Sequence, residues 1–203
     1  SPIQYFPNLT FSVPMLSTLH DLQHIHFPDF FSKEELDKRA VLYKQSAVLA
    51  ERVVVSFQHV KDDIVAHYGI PADKIDVCSL GMDRPKSPDE AVVRAAQKQH
   101  NVKAPYLFYS ANTWRHKNHL GLIRAFKILR EKHGSNISLV CTGQKFPDYF
   151  PVIEEEIKKL GLDESVRFTG YIPEADVRAL LKGAALAVIP TLYEAGSFPL
   201  IEA

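Results

Sequence analysis

Two carboxylates stand close to the end of the chain, Glu194 and Glu202, with seven residues between them, among these Gly196, Ser197 and Phe198. An apolar run ends at Pro190 just before them, so a strand is expected to lead into a loop that carries Glu194, and a helix to begin near residues 197–199. In α/β sheets, ligands sit at the carboxyl ends of strands. Free amides of Gly196, Ser197 and Phe198 at that helix start favour an anion such as a diphosphate. The two carboxylates repel phosphate, and their natural partners are sugar hydroxyls, which they bind as charged acceptors. Glu194 precedes the helix and Glu202 lies one turn into it, so the pair can grip two separate parts of one ligand. Two surface glutamates flanking an ordinary helix start satisfy the same pattern.

A second cluster runs from Asn112 through Arg115, His116 and Lys117 to Asn118, following an apolar run and opening an amphipathic one. Lys117 at a helix start adds a point charge to an amide-lined anion site, and Arg115 offers a planar fork for phosphate oxygens. A solvated basic loop with Asn118 as a plain cap is the competing reading. The third cluster is His20 and Asp21, with His24 and His26 beyond them, again after a strand-like run. A histidine there can donate to a phosphate or sugar oxygen, and Asp21 can orient a neighbour. The three histidines match no common zinc spacing and have no cysteine near them.

The elements that must position these groups alternate along the whole chain. Residues 13–19 read as a buried strand. Ser32 and Glu35 have capping-box spacing and open a helix to about Ala50. Arg52–Val55 reads as a strand, Ser56 as the cap of the next helix, and Gly69 with Pro71 as its stop. A strand over 75–80 turns at Gly81, and 89–100 reads as an amphipathic helix inside an irregular stretch of about 82–104. The rhythm restarts with a strand over 106–110. In the helix from Asn118, Leu122, Ile123, Phe126 and Leu129 recur at helical spacing and Gly134 is the stop. Strands over 137–141, 166–168 and 185–189 alternate with helices near 152–160 and 175–182. Short apolar strands between amphipathic helices imply an α/β fold with parallel sheets and helices on both faces.

Composition removes several classes. The 203 residues carry 24 basic and 24 acidic side chains, and this zero balance is unlike a general nucleic-acid binder. At 46% hydrophobic residues the chain can bury a core. Cys78 and Cys141 each lie in an apolar run and read as two buried thiols of a reducing cytosol rather than as a disulfide framework. No apolar run approaches the roughly 20 residues of a membrane span.

Taken in order, the clusters resemble family 4 of the retaining glycosyltransferases, enzymes of the two-domain GT-B fold. The Glu194-to-Glu202 element, the strand–loop element from Tyr106 to Asn118 and the strand end at His20-Asp21 carry the resemblance. Val54 to Ser56 with Asp63, the run from Lys74 to Gly81, the segment Val166 to Tyr171 and the run Leu186 to Pro190 also fit it. The resemblance covers nearly the whole chain. It implies that residues 1–82 are the C-terminal half of an acceptor-side Rossmann-like domain, 83–103 an interdomain junction, and 104–203 the first part of a nucleotide-sugar-binding domain. Both lobes are then incomplete here.

The resemblance further implies catalytic roles for His20, Glu194 and Lys117. Glu194 holds donor-sugar hydroxyls, Glu202 the ribose, and Lys117 with Arg115 the diphosphate. Gly196, Ser197 and Phe198 lend amides, Tyr171 and Ile172 lie where the base rests, and His20 faces Lys117 and Glu194 across a cleft. The implied reaction moves a sugar from a nucleotide-diphosphate-sugar to a saccharide or lipid-linked acceptor with retention, without a metal or other cofactor. Polysaccharide, lipopolysaccharide or glycolipid synthesis in the cytoplasm, at the inner face of the membrane, is the expected setting, with peripheral membrane association. Where the family often has a Gly-Arg pair about five residues before the lysine, this chain has Ala111-Asn112. The rival reading is a non-catalytic sugar-nucleotide-binding or scaffold subunit of a transferase complex. These 203 residues alone are expected to be inactive and to self-associate through an uncovered sheet edge.

Overall fold

The computed structural model describes residues 13–79, Gly81 and 86–196. They form two compact units, one of residues 13–81 with Glu194–Gly196 and one of residues 86–193. In the first unit, strands β1 (Leu16–Thr18), β2 (Arg52–Val55) and β3 (Ile75–Val77) pair in parallel in sequence order. Helix α1 (Gln23–His26) and helix α2 (Lys33–Leu49) join β1 to β2, and helix α3 (Gln58–Tyr68) joins β2 to β3.

Helix α2 begins where the sequence says it should. The Ser32 hydroxyl accepts from the Glu35 amide at 3.2 Å, and the Glu35 carboxylate accepts from the Ser32 amide at 2.9 Å. Those bonds hold the Glu35 carboxyl below the usual carboxylate range. Val53 and Val55 point from β2 into a core with Ala47, Val60, Ile64 and Ile75. Four local expectations need correction. Strand β1 is only three residues long, and the residues at and before its start are not buried: Val13 is 63% exposed and Leu16 64%. The cap of α3 is Phe57, without a side-chain bond, while Ser56 is buried. Strand β3 stops at Val77, and Leu80 lies outside the described residues. Cys78 therefore lies past the strand and is exposed, so only Cys141 is a buried thiol.

In the second unit, strands β4 (Tyr106–Ser110), β5 (Ser138–Thr142), β6 (Val166–Phe168) and β7 (Leu186–Ala187) form a parallel sheet of order β6-β5-β4-β7. Side chains alternate across it, as period two requires. Tyr109, Leu139 and Cys141 face helices α5 (His119–His133) and α6 (Phe150–Lys159), packing on Ile123, Phe126 and Ile153. Tyr106, Phe108 and Val140 face the other side, where Ala96 of α4 (Glu90–Gln99) and Ala179 and Leu180 of α7 (Glu174–Lys182) close a second core. The helix within the stretch read as a junction thus packs on this sheet. Strand β7 is limited to two residues, shorter than its apolar run.

The order of this sheet matters for function. The chain moves outward from β4 to β5 to β6, then crosses back to pair β7 with the other side of β4. Winding reverses between β4 and β7, and the crevice at the carboxyl ends of strands beside such a reversal is where open α/β sheets bind ligands. Among the described residues, no helix is long and apolar enough to cross a membrane.

Candidate functional site

The loop after β4 is built by hydrogen bonds to its neighbours on either side. Toward β5, the Ala111 amide donates to the Thr142 carbonyl at 2.8 Å and the Thr113 amide to the Gln144 carbonyl at 3.0 Å. The fully buried Thr113 hydroxyl accepts from the Phe146 amide at 2.8 Å, and the Asn112 side-chain oxygen accepts from the Gln144 amide at 2.7 Å. Gly143 makes this union possible. Its φ is +131°, and a β-carbon there would lie 2.4 Å from the Ala111 carbonyl oxygen. Only glycine accommodates both conditions.

Toward β7, the Leu192 amide and the Thr191 hydroxyl both donate to the His116 carbonyl, at 2.8 and 3.1 Å. Asn118 spans the same gap: its side-chain amide donates to the Pro190 carbonyl at 3.0 Å while its oxygen accepts from the Gly121 amide at 3.3 Å. It caps α5 from the left-handed region, at φ +56°, which asparagine enters more readily than most residues. The Tyr109 hydroxyl donates to the Lys117 carbonyl at 2.9 Å from below. Beneath the loop His119 is wholly buried between Tyr109 and Phe168, with neither ring nitrogen hydrogen-bonded among the described residues. Burial, and then the charge of Lys117, lowers its pKa to about 4, so the ring is neutral.

The result is a cleft of about 280 Å³ at the carboxyl ends of β4 and β5, where Lys117, Asn112 and Gly143 meet Tyr171 and Ile172. Lys117, Tyr171 and Ile172, named from the sequence, line one cavity; Tyr171 is 85% exposed, whereas Ile172 is buried. Arg115 shares the Lys117 loop, with its guanidinium 5.5 Å from the Tyr149 ring centroid. A half-buried lysine on the cleft wall suits an anionic ligand, and an apolar floor beside an exposed aromatic ring suits a planar group. Thr142, Gly143 and Val177 also line this cleft and were not singled out in the sequence, as does Asn112, which was read within the Lys117 cluster but given no ligand role. Asn112 stands where the family often has arginine, and here it staples two loops.

In the first unit, a cavity of about 170 Å³ at the end of β1 is lined by His20, Asp21, Gln23 and Arg39, with Leu19 and Tyr43. Asp21 accepts from the Gln23 amide at 3.0 Å, which turns the chain and leaves His20 exposed at the rim. Arg39 is held over the Phe31 ring at 4.5 Å and donates to the Tyr43 hydroxyl at 3.0 Å. This guanidinium escaped the sequence reading, because nothing in the α2 pattern distinguishes it from an exposed helical arginine. His24 does not join His20: it is buried, its Nε2 lies 3.3 Å from the Tyr68 hydroxyl, and burial then Arg39 depress its pKa. Glu194 and Gly196 belong to this unit, where Ala195 packs against the core. Ser197, Phe198 and Glu202, with the helix expected to start there, lie outside the described residues.

Comparison with known proteins narrows what this architecture is. The chain is 23% identical to O-antigen chain mannosyltransferase B of Escherichia coli over 192 residues, 93% of this chain and 50% of that protein. It is 25% identical to the O-antigen chain mannosyltransferase RfbU of Salmonella typhimurium, over 95% of this chain and 51% of that one. The chain thus spans about half the length of the curated relatives it matches. Among solved structures, HepE of Anabaena in complex with UDP and glucose superposes with a TM-score of 0.75 at 18% identity, over 94% of this chain and 50% of that one. This likeness establishes the fold, α/β with parallel sheets as in GT-B glycosyltransferases. The family model for glycosyl transferases group 1 matches residues 93–203, which include the whole of the Lys117 cleft. With more than half of its residues matched by that model, the chain belongs to the group 1 glycosyl transferases.

Proposed function

We propose that this chain is part of an enzyme that moves a hexose from a nucleotide-diphosphate-sugar to a saccharide or lipid-linked acceptor with retention of configuration. The observation that carries the reading is the Lys117 cleft, a cationic pocket at the carboxyl ends of β4 and β5 whose Lys117 loop is fixed from both sides. Lys117, helped by Arg115, binds the donor diphosphate, and Tyr171 and Ile172 receive the base. Glu194 holds hydroxyls of the donor sugar and Glu202 the ribose, while amides of Gly196, Ser197 and Phe198 add to the anion site. His20 reaches the donor sugar and its phosphate. The bound UDP in HepE supports a nucleotide-sugar donor, and the two O-antigen mannosyltransferases support a polysaccharide or lipopolysaccharide acceptor.

In the proposed step the anomeric carbon–phosphate oxygen bond breaks and the acceptor oxygen bonds the same face of that carbon. The acceptor proton passes to the departing phosphate. The protein's part is electrostatic: Lys117 and preorganised amides stabilise charge as it grows on the leaving diphosphate, in place of a metal ion. Proton NMR of the first product formed from a defined donor and acceptor tests the stereochemistry. A product with the donor's anomeric configuration is expected; the opposite anomer would reject retention, and donor binding without any transfer would favour the scaffold reading.

A further inference from the structure

The structure assigns a transition-metal site to His26, Asp63 and His67 on the first unit; of the three histidines weighed in the sequence it takes only His26, without His20 or His24. Asp63 and His67 lie four residues apart on α3 and so share one helix face. His26 closes α1 and brings Nε2 to 2.7 Å from the Asp63 carboxylate. The ligating atoms of all three residues fall within 4.8 Å of one another. The His26 and His67 rings stand edge to face, 5.9 Å between centroids and 88° between planes.

Two imidazoles and one carboxylate are a donor set for zinc or a neighbouring first-row ion, whereas magnesium and calcium favour oxygen-only shells. Zinc bonds of about 2.0–2.2 Å put tetrahedral ligand atoms roughly 3.3 Å apart. The His26–Asp63 pair is already closer than that, and the third ligand has to close by at most about 1.5 Å. His67 and His26 are both exposed, so rotation of their side chains supplies that movement without disturbing the core. Water completes the shell. The Asp63 carboxylate is only 18% exposed, which fixes the anchoring ligand while the histidines adjust.

A bound ion would tie the last residue of α1 to α3. Since α1 directly follows His20 and Asp21, the tie would hold the chain that leaves the first-unit cavity. The test is isothermal titration of the chain with zinc, with magnesium as control, repeated on His67→Ala, an exposed change, and Asp63→Asn, an isosteric change on the same helix face. One zinc per chain is expected, with no magnesium binding and a higher thermal midpoint when zinc is present. Loss of a supporting group around a metal ligand costs about 10–100-fold in affinity, so loss of a ligand should weaken zinc binding by about 100-fold or more. Absence of zinc binding, or zinc affinity undiminished in either variant, overturns the assignment.

Discussion

Gly143 and Ala111 approach so closely that the loops after β4 and β5 are effectively one structure: a β-carbon on residue 143 would sit 2.4 Å from the Ala111 carbonyl oxygen. The contact fixes where Asn112 and Lys117 stand on one wall of the cleft relative to Thr142 on the other.

Gly143→Ala should therefore injure stability and binding together. The left-handed φ of +131° is strained for any other residue, at about 1–3 kcal/mol, and the backbone clash adds to that. Urea unfolding should show the loss, and affinity for a nucleoside diphosphate should fall. A stable variant with undiminished affinity would show that the two loops need not meet.

Asn118 joins a backbone conformation, a helix cap and a tie to Pro190 in one residue. Asn118→Ala removes both side-chain bonds and leaves a β-carbon at φ +56°, a loss of about 1–2 kcal/mol. Asn118→Gly keeps the conformation and should be the milder change, by a few tenths to 1 kcal/mol. Equilibrium unfolding that ranks glycine below alanine would contradict the part given to the left-handed cap.

His119 predicts an acid sensitivity of the second unit. Its folded pKa of about 4 lies below the ordinary histidine value near 6.5, so between these values the unfolded chain binds the extra proton. The stabilisation is complete above about pH 6.5 and is lost as pH falls toward 4. At pH 5 the loss should be about 2 kcal/mol relative to neutral pH. His119→Leu should flatten that dependence in thermal unfolding between pH 7.5 and 5. An unchanged pH profile would mean that the ring protonates freely in the folded protein.

What was legible in the sequence was what depends on neighbours along the chain. Leu122, Ile123 and Phe126, with Asn118 before and Gly134 after, define α5 because helical spacing and caps are local signals. The Ser32–Glu35 box did the same for α2. Lys117 entered from its place between a strand and a helix, Tyr171 and Ile172 by family resemblance, and the three line a common cleft. Contacts between distant segments were not legible. Arg39 reaches the His20 cavity from the middle of α2, and His26 meets Asp63 across 37 residues. Cys78 was placed inside because apolar neighbours suggested a longer strand, but β3 ends one residue earlier, after pairing with the four-residue β2.

Lys117 is the residue on which the functional account rests, since it puts positive charge into the cleft at the carboxyl ends of β4 and β5. Titration of the protein with a nucleoside diphosphate, comparing wild type with Lys117→Met and Arg115→Met, measures that directly. A hydrogen bond to a charged group contributes about 1.5–3 kcal/mol, so Lys117→Met should weaken binding about 10- to 150-fold, and exposed Arg115 should matter less. Affinity that is unchanged in Lys117→Met would contradict the account, because the diphosphate would then be held somewhere other than this cleft.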